Sequence, residues 1–400
     1  MKTTTRLRAT ALAALLVLAV SACGGEVTGS PAGQAYSPPD PATATAQSID
    51  LEEAVAVSPA GTLLAIAKDN SLCVRDRVPT GAKGTSSTCA EDPDITGRQP
   101  AVFSPTGSRL VVFENPGQHG NRARAWIVDA SSGTTVPITL PAATSSNGPS
   151  PTAPSPTSTT GTGSALRDAA VTYLWQSDDA LFAVGITGAV YRITPSTGAA
   201  VVLAPSGDRT KETVTVAAIG GGTIAMVWER RSRGGARLVT VSIADGAVRD
   251  PAVTFDQDIT HPILLGVSPD GGKALLSTAN LQTLVPGETG IYDLTSGQHT
   301  VIAGTERTYA AGGAFSPDGS VVAFVASGAA TDIRSKPTAA DGNRFHLQLA
   351  PADGSTAPRD LLGADDETRN VYGPLLWSPA GVIVTAASPS PQAAAWIVTG

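Results

Sequence analysis

Short apolar runs alternate along this chain with clusters of Pro, Gly, Ser and Asp, and one arrangement of the two keeps returning. An apolar stretch, then Ser-Pro-x-Gly, then a second apolar stretch is clear at Ala54–Ala67 (AVAVSPAGTLLAIA) and Ala101–Glu114 (AVFSPTGSRLVVFE). It returns at Leu264–Thr278 (LLGVSPDGGKALLST), Gly313–Ala326 (GAFSPDGSVVAFVA) and Leu375–Ala387 (LLWSPAGVIVTAA). Two eroded copies, Thr172–Gly185 (TYLWQSDDALFAVG) and Val216–Trp228 (VAAIGGGTIAMVW), fill the gap in the middle. Aligned on the serine, the seven copies fall at Ser58, Ser104, Gln176, Gly220, Ser268, Ser316 and Ser378. Most steps are 44 to 48 residues, and each of the two longer ones contains an insertion. A fixed period of this size is the signature of a repeat architecture.

The local physics of one copy predicts a hairpin. Proline pre-sets φ at the first central turn position, Asp tolerates the second, and Gly accepts the left-handed conformation that follows. Two β-rich runs across such a turn pair with each other. A third strand ending in a second turn comes next, at Trp126–Thr134, Val190–Gly198, Leu238–Gly246, Gly290–Gly297 and His346–Gly354. An apolar fourth strand follows at Val136–Leu140, Ala200–Leu203, Ala252–Phe255 and His299–Ile302. Four antiparallel strands per period make one propeller blade. The expected fold is therefore all-β, a seven-bladed β-propeller over residues 48–400. Its last blade ends with Ala393–Thr399 and takes its fourth strand from Gln47–Glu52. Ala142–Ser164 is almost entirely Pro, Ser, Thr, Gly and Ala, and reads as a disordered loop between the second and third blades.

The Ser-Pro-Asp-Gly turns resemble those of TolB-like and WD-repeat-like propellers. The resemblance covers residues 48–400 and implies the fold far more than a function. The Gly-His and Trp-Asp signatures of eukaryotic WD repeats are absent, as is the separate N-terminal domain of true TolB, so no Tol-Pal role is implied.

The N-terminus changes the setting. Lys2, Arg6 and Arg8 precede the apolar run Ala9–Val20, which is too short to span a bilayer and matches a secretory signal. Val20-Ser21-Ala22-Cys23 resembles a bacterial lipobox, which implies cleavage after residue 22 and a diacylglyceryl group on Cys23. Residues 23–47 then form a flexible stalk rich in small and breaker residues. The expected location is the extracytoplasmic side of the cell membrane, anchored by lipid. Cys73 and Cys89 remain as an even pair in an oxidising compartment, which fits one disulfide. Arg outnumbers Lys, and Ala, Gly and Pro are in excess, which points to a GC-rich, actinobacteria-like genome. The formal charge is −7. Losing Lys2, Arg6 and Arg8 leaves 24 basic against 34 acidic residues, or −10, which argues against nucleic acid as a partner.

Motifs for chemistry are lacking. There is no G-x-S-x-G elbow, no H-E-x-x-H, no phosphate-binding loop and no complete calcium loop after Asp256 and Asp258. No cofactor or metal is expected. The five tryptophans lie on strands and read as core. What remains is one face, formed by the links between second and third strands and between blades. The former hold Arg122, Arg124, Arg230, Arg231, Arg233, Arg237, Arg334, Lys336 and Arg344. The latter hold Arg98, Asp258, His261, Arg307, Tyr309, Arg369 and Tyr372, nearer the channel. Variable loops on one face of a repeat protein often mark the binding side. The favoured reading is a binding or scaffold protein that grips a protein, peptide or envelope polymer. The alternatives are a lactonase- or lyase-like propeller enzyme with its site at the channel mouth, and a membrane-partnered sensor.

Overall fold

The computed structural model describes residues 23–24, 38–50, 54–77, 86–97, 99–114, 124–141, 170–206, 212–230, 235–251, 253, 255, 261–279, 287–303, 310–327, 345–361, 375–378, 381–385 and 394–399. These residues are all-β, with no helix among them. Two strands, β1 (Cys23–Gly24) and β2 (Thr45–Asp50), precede the first repeat. Sheet 1 contains β3 (Ala54–Val57), β4 (Leu63–Lys68), β5 (Ser71–Asp76) and β6 (Ser87–Cys89). Sheet 2 contains β7 (Ala101–Phe103), β8 (Arg109–Phe113), β9 (Ala125–Asp129) and β10 (Thr135–Pro137). Sheet 3 contains β11 (Ala170–Ser177), β12 (Ala180–Gly185), β13 (Val190–Ile193) and β14 (Ala200–Ala204). Sheet 4 contains β15 (Glu212–Gly220), β16 (Thr223–Arg230), β17 (Ala236–Ser242) and β18 (Val248–Arg249).

Sheet 5 follows with β19 (His261–Val267), β20 (Lys273–Ala279), β21 (Thr289–Asp293) and β22 (His299–Ala303). Sheet 6 contains β23 (Ala310–Phe315), β24 (Val321–Ser327), β25 (Phe345–Pro351) and β26 (Arg359–Asp360). In sheet 7, β27 (Leu375–Ser378), β28 (Gly381–Thr385) and β29 (Ala394–Thr399) are completed by β2. Each sheet is a four-stranded antiparallel meander in chain order, apart from that N-terminal addition and a parallel contact of β1 with β15.

The core lies between sheets. Leu72, Val74, Leu110 and Trp126 fill the space between sheets 1 and 2. Val111, Tyr173, Trp175 and Tyr191 join sheets 2 and 3. Leu174, Phe182, Met226 and Trp228 join sheets 3 and 4, and Val227, Leu238, Leu264 and Tyr292 join sheets 4 and 5. Leu265, Leu275, Phe315 and Phe324 join sheets 5 and 6. A sheet covered on both faces needs apolar residues at every strand position, not every second one, and β12 (ALFAVG) is buried throughout. Two tryptophans repeat one inter-sheet bond: Trp175 Nε1 donates to the Val102 carbonyl, and Trp377 Nε1 to the Ala314 carbonyl, both at 3.1 Å.

Two boundaries differ from the sequence reading. β2 begins at Thr45, two residues ahead of the expected Gln47, and runs to Asp50, with Leu51 and Glu52 outside the described residues. The fourth strand of sheet 4 is Val248–Arg249 rather than Ala252–Phe255, because pairing resumes straight after the Asp245-Gly246 turn. Pro251 then has no N–H with which to extend the ladder. Of the stalk expected over 23–47, residues 23–24 and 38–47 are described, the former as β1 and the latter leading into β2, and 25–37 lie outside the described residues. The signal segment 1–22 and the low-complexity loop 142–164 lie outside the described residues.

Candidate functional site

The hairpin geometry sorts the connections onto two faces. First strands end, and third strands end, on one face, at turns that are short apart from the Asp76–Ser87 link of sheet 1: this is the turn face. Second strands end, and fourth strands end, at the opposite loop face, where the links of variable length leave and return.

The turn face is built on a recurring buried serine. Ser58, Ser104, Ser268 and Ser316 are almost fully buried. In each, the backbone amide donates to the carbonyl five residues on, and the Gly three residues on donates back to the serine carbonyl. The hydroxyl oxygen then accepts from the amide that opens the next strand: Leu63 (2.9 Å), Arg109 (3.2 Å), Lys273 (2.8 Å) and Val321 (3.0 Å). In the two Ser-Pro-Asp-Gly copies the hydroxyl also donates to the turn aspartate, Ser268 to Asp270 at 2.5 Å and Ser316 to Asp318 at 2.6 Å. The four turn glycines have φ between 69° and 80°, which only glycine adopts freely. The eroded third copy keeps a different device. Asp178 accepts from the hydroxyls of Thr106 and Ser108, and Arg109 donates to the Asp178 carbonyl at 2.8 Å, clasping the turns of sheets 2 and 3 together.

The loop face carries two matching cation clusters. Arg124, just before β9, donates to Glu114 at 2.8 Å and to Asp94 at 2.5 Å, and lies over the Trp126 ring at 5.0 Å. Arg237 on β17 donates to Glu212 at 2.8 Å and to Asp250 at 2.5 Å, and lies 5.0 Å from the Trp228 ring. Glu114 is only 7% exposed, so its charge depends on that arginine. Hydrogen bonding to Glu114, working against burial, holds the Arg124 guanidinium above its ordinary pKa. Two of the nine loop arginines and lysines singled out in the sequence are thus spent on internal carboxylates. On sheet 5, His299 stacks on Tyr292 at 4.9 Å.

The other candidates divide sharply. His261 opens β19 and Arg230 closes β16, so both backbones stand at the loop-face ends of their strands, as the repeat requires. Arg98, Asp258, Arg307, Tyr309, Arg369, Tyr372, Arg231 and Arg233 lie outside the described residues. Cys73 and Cys89 form a disulfide between directly opposed positions of β5 and β6. Cys23 is in β1. Trp126, Trp175, Trp228 and Trp377 are buried, in keeping with the core role read from their strands. Among the described residues no group of three or more His, Cys, Asp or Glu side chains is placed to hold a metal.

Successive four-stranded antiparallel sheets, each packed face to face on the next, define the architecture. The fold is a β-propeller. No protein-family profile matches the chain, and no curated protein matches it in sequence. Among solved structures the propeller is similar to Kuenenia stuttgartiensis hydrazine synthase, with a TM-score of 0.51 at 13% identity over 88% of this chain and 97% of that one. It is also similar to a putative TolB from Agrobacterium tumefaciens, with a TM-score of 0.42 at 12% identity over 75% of this chain and 89% of that one. For the β-propeller domain of the trilobed protease of Pyrococcus furiosus the TM-score is 0.43, at 12% identity over 78% and 84%. Identities this low speak to fold and not to activity.

Proposed function

We propose that this chain is a seven-bladed propeller, tethered to the extracytoplasmic side of the membrane by a lipid on Cys23, whose loop face binds a protein, peptide or envelope polymer. Seven sheets in chain order, the last completed by β2, support the blade count. A strand borrowed from the N-terminus removes a free edge that would otherwise invite aggregation. The disulfide between Cys73 and Cys89 fits an oxidising compartment.

One observation carries the binding role. The links between Glu114 and Arg124, Arg230 and Gly235, Ala279 and Gly287, and Ser327 and Phe345 all join a second strand to a third, and so all belong to the same face. At the opposite end the first-to-second turns are short and four of them share the buried-serine plan, the longest link on that face being Asp76–Ser87 in sheet 1. Variation concentrated at one end of a repeat is how such scaffolds vary what they bind. At that end the described ionic groups neutralise one another and do not assemble a nucleophile, a base and an oxyanion site.

Arg230, Arg231 and Arg233 sit together on one of these links, on a chain whose surface is net acidic. They would orient the molecule toward an anionic partner. Crosslinking in intact cells followed by mass spectrometry identifies that partner. Reversing the three arginines together should weaken its capture without unfolding the propeller, and capture indifferent to the reversal or to ionic strength returns them to ordinary solvated loop residues. Cys23→Ala should release the protein from the membrane fraction; retention of the cleaved variant there sinks the lipid anchor.

A further inference from the structure

Both ends of the N-terminal segment meet the turn face. Cys23 and Gly24 pair in parallel with Ile219 and Gly220, the last two residues of β15, immediately before the turn at Gly221 and Gly222. The pairing is parallel, so the Gly24 end of β1 lies toward that turn. The chain is fixed again where the amides of Thr43 and Ala44 donate to the Asp40 carbonyl at 3.0 and 2.9 Å. Arg359, at the start of β26, clamps this stretch by donating to the carbonyls of Pro41 at 3.0 Å and Ala42 at 2.5 Å. Thr45 then opens β2 opposite Thr399, while Val398, one residue before it, pairs with Val382 beside the Ser378–Gly381 turn. The segment therefore starts and finishes on the side of the short turns.

We infer that the turn face is the surface that looks at the membrane, and that the loop face is presented away from it. The inference rests on the reading of Cys23 as the lipid anchor. The entry of the chain into β2 at Thr45 fixes that side, and the loop-face ends of the strands stand about 23 Å farther away, the length of a seven-residue strand such as β20 at roughly 3.3 Å per residue.

Charge sets the standoff. Asp76, Asp129, Asp178, Asp179, Asp245, Asp270, Asp293, Asp318 and Asp353 stand in or beside the turns of this face, against Arg75, Arg77, Arg109, Lys273 and Arg359. Where the headgroups are anionic, a net negative face is repelled within a Debye length of about 8 Å at physiological salt. The face is thus held near the headgroups without entering them, and the loops are left free for a partner in solution or in the envelope.

The test uses the full lipidated protein on vesicles of anionic lipid carrying a headgroup quencher. One fluorophore is placed at a time, on Thr295→Cys in the β21–β22 turn or on Lys68→Cys at the loop-face end of β4, both exposed positions. The Thr295 probe should be quenched several-fold more than the Lys68 probe. Equal quenching, or the reverse order, on protein that has bound the vesicles overturns the orientation alone. If the lipidated protein and a Cys23→Ala control bind the vesicles equally, the anchor reading fails and the orientation goes with it.

Discussion

At the scale of residues, the repeat is held by one hydroxyl and one carboxylate doing the same task several times. Ser316 gives the Val321 amide its acceptor in a site with no water access, so Ser316→Ala leaves that amide without a partner. An orphaned buried donor costs about 1–3 kcal/mol. The urea midpoint should fall accordingly, and Ser316→Thr, which restores the oxygen, should recover part of it. The aspartates add a pH dependence. The Ser268 hydroxyl first, and then the Gly272 amide, hold Asp270 below its ordinary value. At Asp318 burial pulls upward, but bonds from Ser316 and Ser320 outweigh it, and the result is again a lowered pKa. Asp129, Asp178, Asp245, Asp293 and Asp353 are lowered too. A carboxylate whose folded pKa lies below its unfolded value of about 3.9 stabilises the fold above that value. The benefit fades as pH falls through the folded pKa. Stability should therefore hold down to about pH 4 and drop below it. Asp318→Asn, which keeps the acceptor but not the charge, should be less stable at neutral pH and show a shallower acid limb in denaturation curves.

At the scale of elements, the staple in sheet 1 is the sharpest case. Cys73 is buried on β5 and Cys89 is exposed on the edge strand β6, which has only three residues. Closing a loop of about 17 residues is worth roughly 3 kcal/mol in the chain-entropy model. Cys89→Ser should lower stability by up to that amount and free β6 first, seen as faster amide exchange at Ser87–Cys89 than elsewhere in the sheet. Two thiols open to alkylation in the native, oxidised protein would contradict the bond itself. The first and second strands of every sheet were readable in the sequence, since the Ser-Pro-x-Gly turn is chemistry local to a few residues. Fourth strands were readable where they carry an apolar pattern, as at β14 and β22, but β18 and β26 are two residues each and are defined by the ladder they join rather than by their own pattern. The pairing of Arg124 and Arg237 with carboxylates was hidden for a related reason. Glu114 is ten residues from Arg124 but Glu212 is 25 from Arg237, and no common spacing announces the cluster. Asp178 looked like decay of the repeat, and is in fact the residue that joins two sheets. The loop-face candidates were chosen by topology alone, and topology places the backbones of His261 and Arg230 where they were expected.

At the scale of the whole molecule, the decisive element is the one that arrives from outside the repeats. β2 pairs with β29 through six consecutive positions, from Thr45 with Thr399 to Asp50 with Ala394. Deleting the chain through Asp50 should uncover the apolar strand Ala394–Thr399, an open edge of the kind that recruits other strands. The truncated protein should elute from size-exclusion chromatography as oligomers or aggregate, while the full chain does not. The same strand also decides how the molecule bears load. A pull on the proposed anchor at Cys23 reaches β2 at Thr45 and runs along the strand axis, not across it. The six rungs are then sheared together instead of being peeled one at a time like a zipper, and the Arg359 grip on Pro41 and Ala42 takes up the strain before the first rung does. A body leashed in this way behaves under tension as a bolted joint, with its strongest direction lying along its own tether.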